Sequence, residues 1–180
     1  MSGQGEPGEP SLNPVAIVAA LNRNQVRYVV IGAYAAIAQQ APIPATRDID
    51  FTPEASDENL ARLSRALVDL DARIRTDAVP EGLPFGHDAA SLAAAEMWNL
   101  ICSDGEFDIS FHPSGFADGY AQLVVNAHRL LVGEEEVAIA DLADVIRSKE
   151  SAGRPKDLRV LPLLYRHLSS VRAEREAEPG

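Results

Sequence analysis

The stretch Thr46-Arg47-Asp48-Ile49-Asp50-Phe51 constrains this chain more than any other. Successive side chains of a strand point to opposite faces, so Asp48 and Asp50 project together while Ile49 and Phe51 face a core. The apolar pair fixes the register, because a slip of one residue would bury both acids. Two carboxylates on one face repel and take up protons unless a hard cation lies between them, and Mg²⁺ is the natural occupant. Phe107-Asp108-Ile109-Ser110-Phe111 repeats the alternation, sending the two phenylalanines and the isoleucine inward and leaving Asp108 with Ser110 on the other face. If the two strands are neighbours, Asp48, Asp50 and Asp108 converge as metal ligands, with Asp108 also a candidate general base.

The surrounding elements follow from periodicity. Leu12, Val15, Val18, Ala19 and Leu21 recur at helical spacing over Ser11 to Asn22, with Pro14 acceptable in the first turn. Val26 to Ile31 has the composition of a strand covered on both faces, and it ends at Gly32. A helix over Ala33 to Gln40 stops at Pro42 and Pro44, and the acid strand is expected over Ala45 to Thr52. Ser56 or Asp57 caps an amphipathic helix bearing Leu60, Leu63, Leu67 and Leu70. Ala72 to Arg75 reads as a short strand, and Asp77 to Ala95, with Pro80, Gly82, Pro84 and Gly86, is loop-like and yields no definite element.

Met97 to Cys102 and Glu106 to Phe111 flank an Asp-Gly hairpin turn. A short helix near Phe116 to Ala127 precedes a second hairpin around Gly133-Glu134. Asp141 caps a helix to Ala152, Gly153 ends it, and Pro155 starts a final helix to about Arg172. This order predicts one α/β (α+β) domain over residues 11–172, a mixed β-sheet flanked by helices with a C-terminal helical pair. Residues 1–10 and 173–180 are expected to be disordered tails.

Composition narrows the partners. Sixteen basic against twenty-seven acidic residues leave a net charge of −11, which disfavours non-specific binding of nucleic-acid backbone by the surface as a whole. The cations are unevenly spread: Arg147, Lys149, Arg154, Lys156, Arg159 and Arg166 share one stretch, the expected anion-facing surface. No apolar run approaches the roughly 18 residues of a membrane span, and Met1 to Pro10 lacks the pattern of a secretory signal. Cys102, the only cysteine, sits beside Leu100 and Ile101 and reads as an inert core residue of a cytoplasmic protein. His87, His112, His128 and His167 lack metal-ligand spacing, and the scattered Trp98, Tyr34, Tyr120 and Tyr165 form no base-stacking platform.

Gly32-Ala33 joins a buried strand to a helix, where a missing side chain lets phosphate oxygens approach the backbone N–H groups. Ile31-Gly32-Ala33, then Thr46-Arg47-Asp48-Ile49-Asp50, then Asp108, resembles the signature of the DNA polymerase β-like nucleotidyltransferase superfamily. The segment from Asp144 to Leu158 is similar to the lysine-containing motif of its AbiEii and MenT-like toxin branch. Together these span most of the chain from Val26 to Leu164.

The resemblance implies a mixed-sheet fold, a Mg²⁺ site and transfer of a nucleotidyl group from a nucleoside triphosphate to a hydroxyl acceptor. For the toxin branch it implies tRNA as acceptor and a cognate antitoxin protein as partner. It implies that Asp48 and Asp50 are the metal-binding pair, Asp108 the third acid and Lys149 a catalytic triphosphate contact. Asp157 is a second polar residue of the late motif, and Gly32, Ala33, Thr46, Arg47 and Arg154 join it at the nucleotide, with Lys156 adding charge. Ala33 departs from the family, which usually has a second glycine or a serine there, and a hydroxyl contact to phosphate is lost.

A toxin acting on tRNA is the leading expectation. Transfer to a small molecule such as an aminoglycoside suits the acidic surface, because such acceptors are cationic. A catalytically silent module that binds a nucleotide or a protein partner suits Ala33.

Overall fold

The computed structural model describes residues 11–178; the expected tail over residues 1–10 lies outside them. Asn13 caps α1 (Pro14–Arg23), its side chain accepting from the Ala16 amide, and Pro14 sits where its missing N–H leaves no bond unmade. β1 (Tyr28–Ile31) runs directly into α2 (Gly32–Ala38), which begins at the glycine itself. β2 (Asp48–Pro53) starts later than the expected Ala45, because Thr46 folds back to donate from its hydroxyl to Asp48 Oδ1 at 2.8 Å. Ser56 caps α3 (Asp57–Asp69) by accepting from the Asn59 amide.

The loop-like segment over Asp77 to Ala95, which the sequence leaves open, contains two elements. After β3 (Arg73–Thr76) come β4 (Val79–Leu83) and α4 (Ala89–Ala93), the latter capped by Asp88. Pro80 and Gly82 hid the strand. β4 is the outer strand at one end of the sheet, where a residue without an N–H is tolerated. Gly82, at φ +80°, lies so close to Arg73 and Ile101 that a Cβ there would meet each of them at 2.8 Å.

β5 (Met97–Cys102) and β6 (Gly105–Ser110) form the expected hairpin, with Cys102 paired to Gly105. α5 (Tyr120–Asn126) leads to β7 (His128–Val132) and β8 (Glu135–Ile139), the second hairpin. Asp141 caps α6 (Leu142–Ala152), Gly153 closes it in the left-handed conformation at φ +60°, and α7 (Pro155–Ala177) follows. The last helix continues past the expected end at Arg172, since Ala, Glu and Arg predominate there and no breaker comes before Pro179.

All eight strands form one sheet in the order β4-β3-β5-β6-β2-β1-β8-β7. The β2–β6 and β1–β8 pairs are parallel and the others antiparallel, so the sheet is mixed and the C-terminal helical pair is present. Ile49, Phe51, Phe107, Ile109 and Leu100 are all fully buried. Phe51 and Phe107, from the two parallel neighbours, stack with centroids 6.1 Å apart. α4 is tied to this side by Trp98, whose indole N–H donates to the Leu92 carbonyl at 3.1 Å. The acids occupy the other face, toward α2 and α6.

Phe107 holds the two acid-bearing strands in register without touching their carboxylates. Truncation by Phe107→Ala is expected to cost about 3–5 kcal/mol of folding stability, to be read from the urea midpoint at neutral pH.

Candidate metal centre and cleft

Parallel pairing sets Asp48 opposite Glu106 and Asp50 opposite Asp108. Asp48, Asp50 and Asp108 each offer an oxygen within 4.8 Å of the others. The three acids expected to converge therefore do. Burial is the main force on Asp50, followed by the charges of Asp48 and Asp108, and together they push its carboxyl up to about 8. Asp108 is also raised, chiefly by burial, although the nearby Arg75 opposes the shift. Three converging carboxylates, one of them driven to hold a proton, are a donor set suited to a hard divalent cation such as Mg²⁺, which would displace that proton.

Gly32 closes one side of this group. Its φ of +69° belongs to the left-handed region, and a Cβ added there would collide with the Asp50 carboxylate. The main chain thus approaches the acids as closely as it does only because the residue is glycine.

A cleft of about 720 Å³ opens over the acids. On one side α6 and the start of α7 bring Lys149, Arg154 and Lys156; on the other stand Arg75, Asn99 and Ser110. Gly32, Ala33 and Thr46 also line it, whereas Arg47, next to Asp48, is not part of the lining. Thr46 serves the site by its hydrogen bond to Asp48.

Asp157 is only 1% exposed and receives Lys149 Nζ at 3.4 Å, Arg154 Nε at 2.7 Å and Arg154 Nη2 at 3.3 Å. Burial by itself would raise the Asp157 carboxyl; Arg154 and Lys149 outweigh it and hold the group below the usual carboxylate range. Its oxygens are thus spent on positioning two cations of the cleft wall. The sharp turn at Gly153 makes this possible by folding α7 back onto α6.

Two residues at the site escaped the sequence reading. Glu106 shares the alternation that exposes Asp108, and counting two positions back along the strand would have found it. Arg75 carried no such signal. Its Nη2 lies 2.9 Å from Asp108 Oδ1 and its Nη1 3.1 Å from Glu106 Oε2, across sequence distances no local pattern reveals.

Solved structures share this architecture. The antibiotic-resistance factor ANT(2'')-Ia, in its solution structure, superposes with a TM-score of 0.53 at 14% identity, covering 91% of this chain and 89% of that one. Its crystal structure in complex with adenylyl-2''-tobramycin gives 0.56 at 16% identity, over 89% and 90% of the two chains. The fold is that of the nucleotidyltransferases. A candidate nucleotidyltransferase of Thermotoga maritima also shares it, with a TM-score of 0.51 at 16% identity over 81% of this chain and 86% of that one. No protein-family model and no curated protein matches the sequence. These likenesses reach the superfamily fold and do not extend to the AbiEii and MenT-like toxin branch, nor to tRNA or an antitoxin protein as partner. Among the described residues, no helix is long and apolar enough to cross a membrane.

The Asp157 cluster has a distinct pH signature. Because the folded carboxyl is held below its unfolded value, its stabilisation is complete above about pH 4 and is lost as pH falls through the folded value. Asp157→Asn is therefore expected to be less stable than the wild type at pH 7, with the gap closing toward pH 3, as read from urea unfolding at both values.

Proposed function

We propose that this protein is a Mg²⁺-dependent nucleotidyltransferase that moves a nucleotidyl group from a nucleoside triphosphate to a hydroxyl of a small cationic acceptor of the aminoglycoside class. The convergence of Asp48, Asp50 and Asp108 beneath a cleft walled by Lys149, Arg154 and Lys156 carries the nucleotidyl-transfer part of this reading. Support for the acceptor class comes from ANT(2'')-Ia, which was crystallised with adenylyl-2''-tobramycin and matches this chain over most of both lengths. The net charge of −11 also favours a cationic acceptor over a polyanionic RNA.

Asp48, Asp50 and Asp108 would hold the metal ion, which when bound supplies charge neutralisation at the phosphates. Lys149, kept in the cleft by Asp157, faces the polyphosphate, and Arg154 and Lys156 add positive charge where pyrophosphate departs. The acceptor oxygen attacks the α-phosphorus, forming a new P–O bond while the bond to the bridging oxygen of the β-phosphate breaks. Asp108 accepts the hydroxyl proton, and the electron pair of the broken bond leaves with pyrophosphate. Gly32 and Ala33 leave backbone space for phosphate oxygens beside Asp50.

Incubation with α-³²P-labelled nucleoside triphosphates, Mg²⁺ and a panel of aminoglycosides is expected to label an aminoglycoside and release pyrophosphate. Asp108→Asn should slow that transfer by about 10²–10⁴-fold while leaving the fold intact by circular dichroism. Label appearing in tRNA instead would restore the toxin reading, and nucleotide binding without any transfer would identify a silent module.

A further inference from the structure

Arg75 belongs to no motif, yet it contacts the metal-site acids directly. Its guanidinium forks between two carboxylates of β6, Asp108 at 2.9 Å and Glu106 at 3.1 Å. Glu106 and Asp108 lie two residues apart and so share a face, and each stands opposite an acid of β2. The sheet thus presents four carboxylates as two facing pairs, Asp48 with Glu106 and Asp50 with Asp108. Arg75 reaches them from β3, across the intervening β5. Only about a quarter of its side chain is exposed, and Asp108 is more enclosed still, so solvent weakens these contacts less than it would at an open surface.

We propose that Arg75 is a built-in counter-cation that occupies Glu106 and one oxygen of Asp108, limits a bound divalent ion to the converging oxygens of Asp48, Asp50 and Asp108, and keeps the ligand-free site's affinity low. The inference rests on Asp48, Asp50 and Asp108 being a metal site. Both contacts are charge-assisted hydrogen bonds, and the one to Glu106 must be broken before Glu106 can turn toward an ion. A fixed positive charge within a few ångströms also repels the ion directly. An ion held by three carboxylate oxygens keeps open positions for other oxygen ligands, and a fourth carboxylate would take one of them. Arg75 acts through these acids and is a positioning residue.

Mn²⁺ titration of the full chain, with free ion followed by electron paramagnetic resonance, tests this without reference to turnover. Arg75→Gln is expected to bind Mn²⁺ roughly tenfold or more tightly than the wild type, because it loses the repelling charge and frees Glu106. Arg75→Lys keeps the charge but reaches one carboxylate at a time, and should fall between them. Unchanged or weaker binding by Arg75→Gln overturns the proposal; if that variant does not fold, Arg75→Lys decides, tighter binding supporting the proposal and equal or weaker binding overturning it. Asp50→Asn serves as the control for the underlying site. Should it bind Mn²⁺ as well as the wild type does, the metal reading itself fails, a result distinct from failure of the Arg75 inference.

Discussion

Parallel pairing of β2 with β6 brings Asp50 against Asp108. Parallel neighbours cannot be joined by a tight turn, so the chain must travel away and return in the same direction. Here the crossover consists of α3, β3, β4, α4 and β5, and three of these elements are strands that extend the sheet beyond β6. The detour therefore builds the far wall of the cleft and delivers Arg75 to Asp108. Beneath it, Phe51 and Phe107 stack on the hidden face of the same two strands. Residues that never meet a ligand thus fix the separation of the carboxylates that would.

The acids were legible because alternation is a strict, local rule: once Ile49, Phe51, Phe107 and Ile109 are assigned to the core, Asp48, Asp50 and Asp108 have one direction left. Glu106 obeys the same rule but stands just after the hairpin turn, where the apolar run that frames Asp108 has not yet begun. Arg75 was beyond reach, since its partners are set by strand order in the finished sheet. β4 was obscured for another reason. Proline and glycine mark loops in most contexts, yet an outer strand tolerates the first and a crowded crossing needs the second. The caps expected at Ser56 and Asp141 formed, whereas the cap at Asp88, in the segment the sequence left open, was not foreseen. Asp157 could be seen as part of a polar motif, but its enclosure between Lys149 and Arg154 depends on how α7 returns along α6.

Charge on this molecule has to be considered at two scales. The chain as a whole is strongly acidic, yet the wall formed by α6 and α7 gathers Lys149, Arg154 and Lys156 over a floor of carboxylates. At the longer scale, screening by salt leaves a diffuse negative field that attracts cations. Within the cleft, local cations and a bound divalent ion would dominate, and an anionic polyphosphate can be accommodated despite the overall sign. The two walls thus differ in character. One is a row of cations, two of them held by a buried acid, the other a mostly neutral surface in which Arg75 is already engaged.

The two chemical tasks of the cleft fall to different pieces of architecture. Sheet strands anchor Asp48, Asp50 and Asp108, whereas the helical hairpin bent at Gly153 carries Lys149 and Arg154, which Asp157 holds in place. Sequence drift in α6 and α7 can consequently alter how the cleft grips an anion without disturbing strand register. The residues that would grip an anion and those that would hold a metal ion can therefore change independently of each other.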